Sequence, residues 1–315
     1  MLDISTWTWV ATIGGLLLVL GLDQLLAARK GEHEFSVGEA TRWVAFYVGL
    51  AVAFGIGVLV LGGRQAGAEF FAGYLTEYSL SVDNLFVFVV LMASFGVPRA
   101  FQHKVLLFGI ALALVLRGIF IAIGAAAIDR FVWVFFVFGA FLVLTAWKLA
   151  TSNETHQEPG QSKLVALMAR VLPTTDAYDG ARVLTKVDGR RVVTPMLLVM
   201  VAIGSTDLLF ALDSIPAIFG LTKEAYLVFT ANAFALMGLR QLYFLLDGLL
   251  DRLVYLSKGL AVILGFIGGK LVLHALHEYG APVPDIGIAI SLGVIVVTLL
   301  VTTVLSLRAT RVSAR

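Results

Sequence analysis

Long apolar stretches alternate with short polar segments along almost the whole chain. Nine of these stretches reach the roughly 20 residues that an α-helix needs to cross the hydrocarbon core of a bilayer. They lie near residues 8–28, 42–62, 71–97, 104–127, 131–150, 194–219, 225–247, 254–276 and 286–307. The pattern therefore predicts an all-α, polytopic membrane protein of about nine transmembrane helices.

The composition agrees with a membrane protein. Apolar residues make up 59% of the 315 residues and charged residues 14%, and the mean hydropathy is +0.94. Soluble domains carry about 25% charged residues. The formal net charge of +2 does not indicate a basic surface for nucleic acid. The 315 residues contain no cysteine, so they can form neither disulfides nor thiolate metal sites. Oxygen atoms and imidazole nitrogens remain as the strong metal ligands.

Lysine and arginine are distributed unequally over the alternating loops between the predicted spans. One set of loops, with the adjoining helix ends, holds 17 of the 23 basic residues, and the opposite set holds only Arg64, Arg130, Lys223 and Lys270. Basic residues are concentrated on the cytoplasmic side of membrane proteins. We therefore expect a protein of the bacterial inner membrane with its N-terminus outside and its C-terminus in the cytoplasm.

One long polar segment, residues 151–193, interrupts the apolar pattern on the predicted cytoplasmic side. Residues 163–172 within it are predicted to form a short amphipathic helix. Two β-prone runs, 183–187 and 190–193, flank Asp188-Gly189, which is typical of a β-hairpin turn. We expect this segment to connect two membrane-embedded units, and docking of a protein partner is its alternative role.

Charged positions recur in two parts of the chain. Glu77 and Asp83 have the same six-residue spacing as Asp207 and Asp213. Further matches follow in order: Leu116-Arg117 with Leu239-Arg240, Asp129-Arg130-Phe131 with Asp251-Arg252-Leu253, and Lys148-Leu149 with Lys270-Leu271. Such matches indicate duplication, and a unit of three spans is inverted in its second copy. We expect two inverted repeats at 70–150 and 194–277, between an N-terminal helix pair (1–69) and a C-terminal helix with a basic tail (278–315).

Several charged side chains fall within or beside the predicted spans: Asp23, Glu77, Asp83, Asp207, Asp213, Arg117 and Arg240. A carboxylate exposed to lipid at a helix centre costs about 2.5 to 3.5 kcal/mol, so these groups are expected to face the protein interior. The arginines are expected to balance charge. The remaining excess of acidic groups indicates a positively charged substrate, either a metal cation or protons.

The spacing also predicts how the acids are arranged. Six residues place Glu77 and Asp83 about 120° apart around a helix, so they are not expected to bind one ion together. We expect Asp83 to pair with Asp213 across the two repeats, with Glu77 toward the outside and Asp207 toward the cytoplasm. Neutral ligands are expected from Asn84, Ser214 and Asn232, with Asp23 as an accessory group or a helix cap. The alternative is that these side chains only form salt bridges between helices.

Two segments carry a resemblance to a known family. They are Glu77-Tyr-Ser-Leu-Ser-Val-Asp-Asn-Leu-Phe86 and Ser205-Thr-Asp-Leu-Leu-Phe-Ala-Leu-Asp-Ser-Ile-Pro-Ala217, followed by Asn232 and Gly238-Leu-Arg240. Over residues 10–305 the chain resembles the TerC family of integral membrane proteins. The resemblance implies manganese export or homeostasis, as in Alx-type members, and an older link to tellurite resistance. The family's acidic residues fall on Glu77, Asp83, Asp207 and Asp213, whereas Gly204 stands where many members have glutamate.

These observations lead us to expect a divalent-cation transporter that works by alternating access, with Mn²⁺ as the first choice of ion. Its partners would be lipids, the cation, protons, and a second copy or another protein at residues 151–193; no permanently bound cofactor is expected. The alternative is a non-transporting scaffold that assembles a stress-resistance or secretion complex through 151–193. An enzyme is not expected, since no nucleophile-base pair or cofactor motif is found.

Overall fold

The structure is a computed structural model, which describes residues 4–30, 37–151, 172–175, 177–187, 190–246, 254–284 and 286–313. Within these ranges, the side chains of residues 23–30, 37, 83, 86, 240, 246 and 311–313 lie outside the described part. The helices are α1 (Thr6–Lys30), α2 (Val37–Ser94), α3 (Arg99–Arg130), α4 (Trp133–Thr151), α5 (Pro195–Phe219), α6 (Ala225–Leu236), α7 (Leu239–Leu246), α8 (Leu256–Glu278) and α9 (Ile288–Ser313). The strands are β1 (Leu184–Val187) and β2 (Arg190–Val193).

Most of the described residues are helical, and six helices among them are long and apolar enough to cross a membrane: α2, α3, α4, α5, α8 and α9. Large apolar side chains on their outer surfaces, such as Leu61, Val115 and Leu144, are exposed. Helices satisfy all their backbone hydrogen bonds internally, so such surfaces suit lipid. The count of nine spans stays a prediction, because two predicted spans lie on α2 and another is divided between α6 and α7.

Helix α2 reverses its direction at Gly63. This residue has φ 87° and ψ 174°, a backbone conformation that is essentially restricted to glycine. It divides α2 into a first arm, residues 37–62, and a second arm, residues 64–94. The two arms are therefore joined by a bend at one residue, where the apolar pattern suggested a loop of several residues.

The two arms fold back on each other. A Cβ atom on Gly67 would lie 2.9 Å from the Cα atom of Leu59, and one on Gly55 would lie 2.5 Å from the ring of Phe71. In a straight helix, residues 55 and 71 would be about 24 Å apart. The arms are therefore antiparallel, and glycine is needed where their backbones come closest.

A second interruption separates α6 from α7. Gly238, between the two helices, has φ 90°, and a Cβ atom there would lie 3.1 Å from the ring of Tyr47. The neighbouring residues Leu236, Met237 and Leu239 are buried. The predicted span at 225–247 is therefore a helix that is interrupted at Gly238. Non-helical backbone of this kind is tolerated within a membrane where protein covers it.

Helices α4 and α8 form the most extensive helix pair. A Cβ atom on Gly139 would lie 2.8 Å from the carbonyl oxygen of Gly268, and a Cβ atom on Gly268 would lie 2.8 Å from the carbonyl oxygen of Gly139. Gly265 faces Ala146 along the same contact, so the helices run antiparallel. Small residues allow membrane helices to approach this closely.

The other main contacts join the two predicted repeats. Helix α2 packs against α5, α6 and α7, while α3 packs against α5 and α6. Helix α9 covers α2 and α8. Helices α2, α3 and α5 consequently meet in the interior, and each of them carries an ionisable residue there.

The polar linker folds into a hairpin at the start of α5. Strands β1 and β2 pair antiparallel, with Val187 opposite Arg190, as the Asp-Gly sequence predicts. The turn itself, Asp188-Gly189, and residues 163–171 of the predicted amphipathic helix lie outside the described residues. The hairpin therefore leads directly into α5, one of the six helices that are long and apolar enough to cross a membrane.

Two side chains fix the described part of the linker. The hydroxyl of Tyr178 donates a hydrogen bond to the carbonyl oxygen of Phe95 at 2.8 Å, and burial raises the pKa of Tyr178 above its usual range. The hydroxyl of Thr185 donates to Asp179 at 2.7 Å. This bond, with the nearby Arg182, holds the pKa of Asp179 below its usual range. The linker is thus attached to the end of α2.

Substituting alanine for Gly63 should lower the thermal unfolding midpoint of the detergent-solubilised protein, because its backbone conformation costs alanine about 1 to 3 kcal/mol. No atom of the described residues lies within 4 Å of an added Cβ at Gly63, so the loss would come from the backbone alone. Gly57→Ala is the matched control, since it lies in the same helix and its Cβ also meets open space in the described structure. Equal midpoints for the two variants would contradict the bend.

Gly268→Ala should also destabilise the protein, because the added carbon meets a backbone oxygen at 2.8 Å. Overpacking of this kind costs about 1 to 3 kcal/mol. Its neighbour Gly269 has no atom of the described residues within 4 Å of an added Cβ, so Gly269→Ala should keep or slightly raise the unfolding midpoint. A loss of stability in Gly269→Ala but not in Gly268→Ala would mean that α8 contacts α4 through the face that carries Gly269. That outcome would contradict the structure.

Candidate functional site

Three buried charged residues meet between α2, α3 and α5. Glu77 on the second arm of α2, Arg117 on α3 and Asp207 on α5 are 0%, 1% and 4% exposed. One terminal nitrogen of Arg117, Nη1, donates to Oε1 of Glu77, and the other, Nη2, donates to Oδ1 of Asp207 at 3.3 Å. A single guanidinium group therefore bridges carboxylates from the two predicted repeats.

Two serine hydroxyls complete what we call the Arg117 cluster: Glu77, Ser81, Arg117, Asp207 and Ser214. Nη1 of Arg117 donates to the hydroxyl oxygen of Ser214 at 3.3 Å. The hydroxyl of Ser81 donates to Oε1 of Glu77 at 3.4 Å, a long contact. Ser81 follows Glu77 by one helical turn, and this i, i+4 spacing is the sequence signal by which it could have been found.

The Arg117 cluster is not electrically balanced when both acids are ionised, because it contains two carboxylates and one guanidinium. Among the described residues, Oε2 of Glu77 and Oδ2 of Asp207 have no hydrogen-bond partner. A buried polar atom without a partner costs about 1 to 3 kcal/mol, and more when it is charged. The two free oxygens can therefore accept a further cation or hydrogen-bond donor.

Helix α6 passes beside the same interior region. Ala231 lies 3.4 Å from the position of a Cβ on Gly73, one turn before Glu77 on α2, and Phe229 lies 3.7 Å from a Cβ on Gly118. Asn232 is 2% exposed, and its amide nitrogen has no partner among the described residues. The hydroxyl oxygen of Thr76, next to Glu77, is likewise buried without a partner in the described structure.

The remaining predicted ligands are placed differently. Asp213 is half-buried, and Thr145 on α4 donates a hydrogen bond to its Oδ1 at 3.3 Å. Asp213 thus faces α4, while its neighbour Ser214 faces Arg117. Asn84 is buried.

Three predicted residues lie in described helices but outside the described side chains: Asp23, Asp83 and Arg240. The expected pairing of Asp83 with Asp213 therefore stays a prediction. The expected separation of Glu77 and Asp207 toward opposite sides is corrected, since both carboxylates contact the same guanidinium. Spacing along each helix could not reveal this, because it depends on how far Arg117 reaches between two other helices.

Gly204 is closely packed in this chain. A Cβ atom there would lie 2.6 Å from a terminal methyl of Leu112 on α3. The space that a longer side chain at this position would occupy is thus filled by Leu112, a partner that the sequence pattern did not identify. A glutamate at Gly204 would require this methyl group to move.

A separate open cavity of about 710 Å³ lies near the bend of α2 and the ends of α5 and α8. Its polar groups are paired: Thr222 donates to Glu69 at 2.6 Å, and Lys270 donates to Ser291 at 3.2 Å. Within the described part of the chain, no group of three or more histidine, aspartate or glutamate side chains is placed to hold a metal ion. Because the carboxylates of the Arg117 cluster have oxygens without partners in the described structure, the cluster is the stronger candidate site.

A family model, described as the integral membrane protein TerC family, matches residues 62–314. The chain belongs to the TerC family. The match includes both acidic segments and every residue of the Arg117 cluster. Together with the apolar helices, it identifies the chain as an integral, multi-pass membrane protein of this family.

Three relatives illustrate the range of the family. An uncharacterised membrane protein of Mycobacterium tuberculosis is 51% identical over 95% of this chain and 78% of its own length. The thylakoid membrane protein TERC of Arabidopsis thaliana is 44% identical over 88% of this chain and 70% of its own length. Alx of Escherichia coli, whose name proposes a membrane-bound redox modulator, is 38% identical over 92% of this chain and 90% of its own length. No solved structure matches the chain significantly.

Removing the positive charge of the cluster should cost more stability than removing a matched pair of charges. Arg117→Gln leaves two buried carboxylates uncompensated, a change worth about 3 to 5 kcal/mol. The double variant Arg117→Gln with Glu77→Gln leaves only one, so part of the lost stability should return. The check is the thermal unfolding midpoint in detergent with a chelator present. A double variant less stable than Arg117→Gln alone would contradict this charge balance.

Proposed function

We propose that this protein is a divalent-cation transporter of the bacterial inner membrane, with Mn²⁺ as its first substrate and export as its direction. The observation that carries the proposal is the pair of carboxylates, from two different parts of the chain, that meet in the interior with one free oxygen each. Mn²⁺, Mg²⁺ and Ca²⁺ prefer oxygen ligands. In this proposal the protein is not an enzyme, and it holds no permanent cofactor.

The ligands would be Glu77 and Asp207, with neutral oxygens from nearby side chains. The hydroxyl oxygen of Thr76, next to Glu77, has no hydrogen-bond partner among the described residues. The amide oxygen of Asn232, a buried residue on α6, is the second neutral candidate. Pro216 in α5 has no N–H group, so it leaves the carbonyl oxygen of Leu212 without its helical partner. Asp83 and Asp213 remain in the proposal as acids along the same path.

The helix contacts support alternating access by two inverted repeats. If α2, α3 and α4 correspond to α5, the broken α6–α7 helix and α8, the contact of α3 with α5 has its counterpart in the contact of α6 and α7 with α2. The antiparallel α4–α8 pair would then join equivalent helices across the axis. Transporters built in this way bind substrate near the midplane, often beside discontinuous helices, and Gly238 supplies such a break.

The proposed topology follows the distribution of basic residues. It places the linker hairpin in the cytoplasm and the bend at Gly63 outside, with the broken α6–α7 helix counted as one of nine crossings. Each arm of α2 would then cross the membrane once. Lys223 and Lys270 would be among the few basic residues on the outer side.

A non-transporting scaffold is the alternative function, and one observation favours it. The linker hairpin is attached to the membrane part through Tyr178, yet the apolar side chains of Leu184 and Val187 are 47% and 45% exposed. These could contact a cytoplasmic protein. Alx suggests a third role through its name, but the 315 residues of this chain contain no cysteine, so thiol redox chemistry is not proposed.

The test is Mn²⁺ flux into proteoliposomes that contain the purified full-length protein. Glu77→Gln and Asp207→Asn should each slow transport by about tenfold or more, since losing a charge-assisted contact is worth about 1.5 to 3 kcal/mol. Asp179→Asn is the control, because this exposed carboxylate lies on the linker. Wild-type rates in both cluster variants would reject the site. Failure of the wild type with Mn²⁺, Mg²⁺ and Ca²⁺ would favour the scaffold.

A further inference from the structure

The guanidinium group of Arg117 occupies the place between the two carboxylates of the candidate site. Its Nη1 and Nη2 atoms contact Glu77 and Asp207, which are the two oxygen ligands of the proposed function. A metal ion bound by both carboxylates would need the same oxygens or the space beside them. Even through the free oxygens Oε2 and Oδ2, a metal ion would share these two carboxylates with the guanidinium, and the two positive charges would repel each other. Binding of one cation therefore opposes binding of the other.

The guanidinium group is not held through all of its donors. Its Nη1 and Nη2 atoms make three hydrogen bonds, and its Nε atom has no partner among the described residues, although arginine has five N–H donors. Nη1 already contacts the hydroxyl oxygen of Ser214 at 3.3 Å. This neutral acceptor remains beside the guanidinium when the carboxylates turn to another cation. The flexible side chain of arginine would let the guanidinium keep its contact with Ser214 while it releases the carboxylates.

We propose that Arg117 is an internal counter-cation that competes with the transported divalent cation for Glu77 and Asp207. This inference rests on the proposed function. When the site is empty, the guanidinium holds the two carboxylates together and leaves one uncompensated negative charge in the interior instead of two. When a divalent cation enters, it displaces the guanidinium from one or both carboxylates. Arg117 thereby sets the affinity of the site and permits the empty carrier to reorient.

The competition predicts the opposite result from a purely structural salt bridge. If Arg117 only holds helices together, its replacement should weaken cation binding or leave it unchanged, because the ligands lose their support. If it competes, its replacement should tighten binding while transport falls, since the empty site would then have to reorient with two uncompensated carboxylates instead of one. Affinity and transport therefore change in opposite directions only under competition.

The experiment measures the Mn²⁺ dissociation constant of the purified full-length protein in detergent by isothermal titration, alongside flux in proteoliposomes. Arg117→Gln should bind Mn²⁺ about tenfold more tightly than the wild type, within the 5- to 150-fold range of coupled sites, and should transport more slowly. Arg117→Lys should show a smaller gain, because lysine keeps the positive charge that opposes the metal ion but lacks the planar fork with which arginine contacts both carboxylates. Arg182→Gln, on the exposed linker, is the control and should match the wild type.

Asp207→Asn separates this inference from the proposed function. If the wild type binds and transports Mn²⁺, Asp207→Asn loses both, and Arg117→Gln binds no more tightly than the wild type, the competition is overturned and the transport function stands. If the wild type neither binds nor transports a divalent cation, the proposed function falls and the inference with it. Should Arg117→Gln not be obtained as folded protein, equal or weaker binding by Arg117→Lys overturns the competition.

Discussion

The contact of one buried guanidinium with two carboxylates is the constraint on which the interior packing of this protein depends. Arg117 on α3 finds its negative partners on α2 and α5. Leaving any of these charges alone in the interior would cost far more than a single apolar contact gains. The three helices are therefore held together at this point. Backbone contacts at glycine, such as that between Gly139 and Gly268, then bring the outer helices close enough to exclude lipid.

The acids of the Arg117 cluster come from different parts of the chain, which has a direct effect on any ion bound there. When α2 and α5 shift relative to each other, the distance between the carboxylates of Glu77 and Asp207 must change. A site made from one helix would keep its geometry during such a shift. A site divided between two bodies has an affinity that depends on their relative position, which is what an alternating-access carrier requires. In the proposed transport cycle, the break between α6 and α7 at Gly238 would absorb part of such a shift.

The apolar pattern predicted the membrane helices because lipid-exposed helices must be apolar over most of their length. It could not predict that a bend at Gly63 replaces a loop, because the hydropathy of a residue contains no information about its φ angle. The ionisable residues were recognisable from the cost of charge in lipid, and Arg117 was expected to balance charge. Its partners were not predictable, because hydropathy gives neither the rotation of a helix nor its lateral neighbours. The contact of Thr145 with Asp213 depends on the same information.

The bend at Gly63 also determines how much of the protein must move together. One residue joins the two arms of α2, and their backbones touch at Gly67 and Leu59. The arms are therefore joined without a flexible loop between them. If the second arm, with Glu77, changes its tilt during the proposed transport cycle, the first arm would be displaced with it and would move against the surrounding lipid. The viscosity and thickness of the bilayer would then contribute to the energy barrier for that movement.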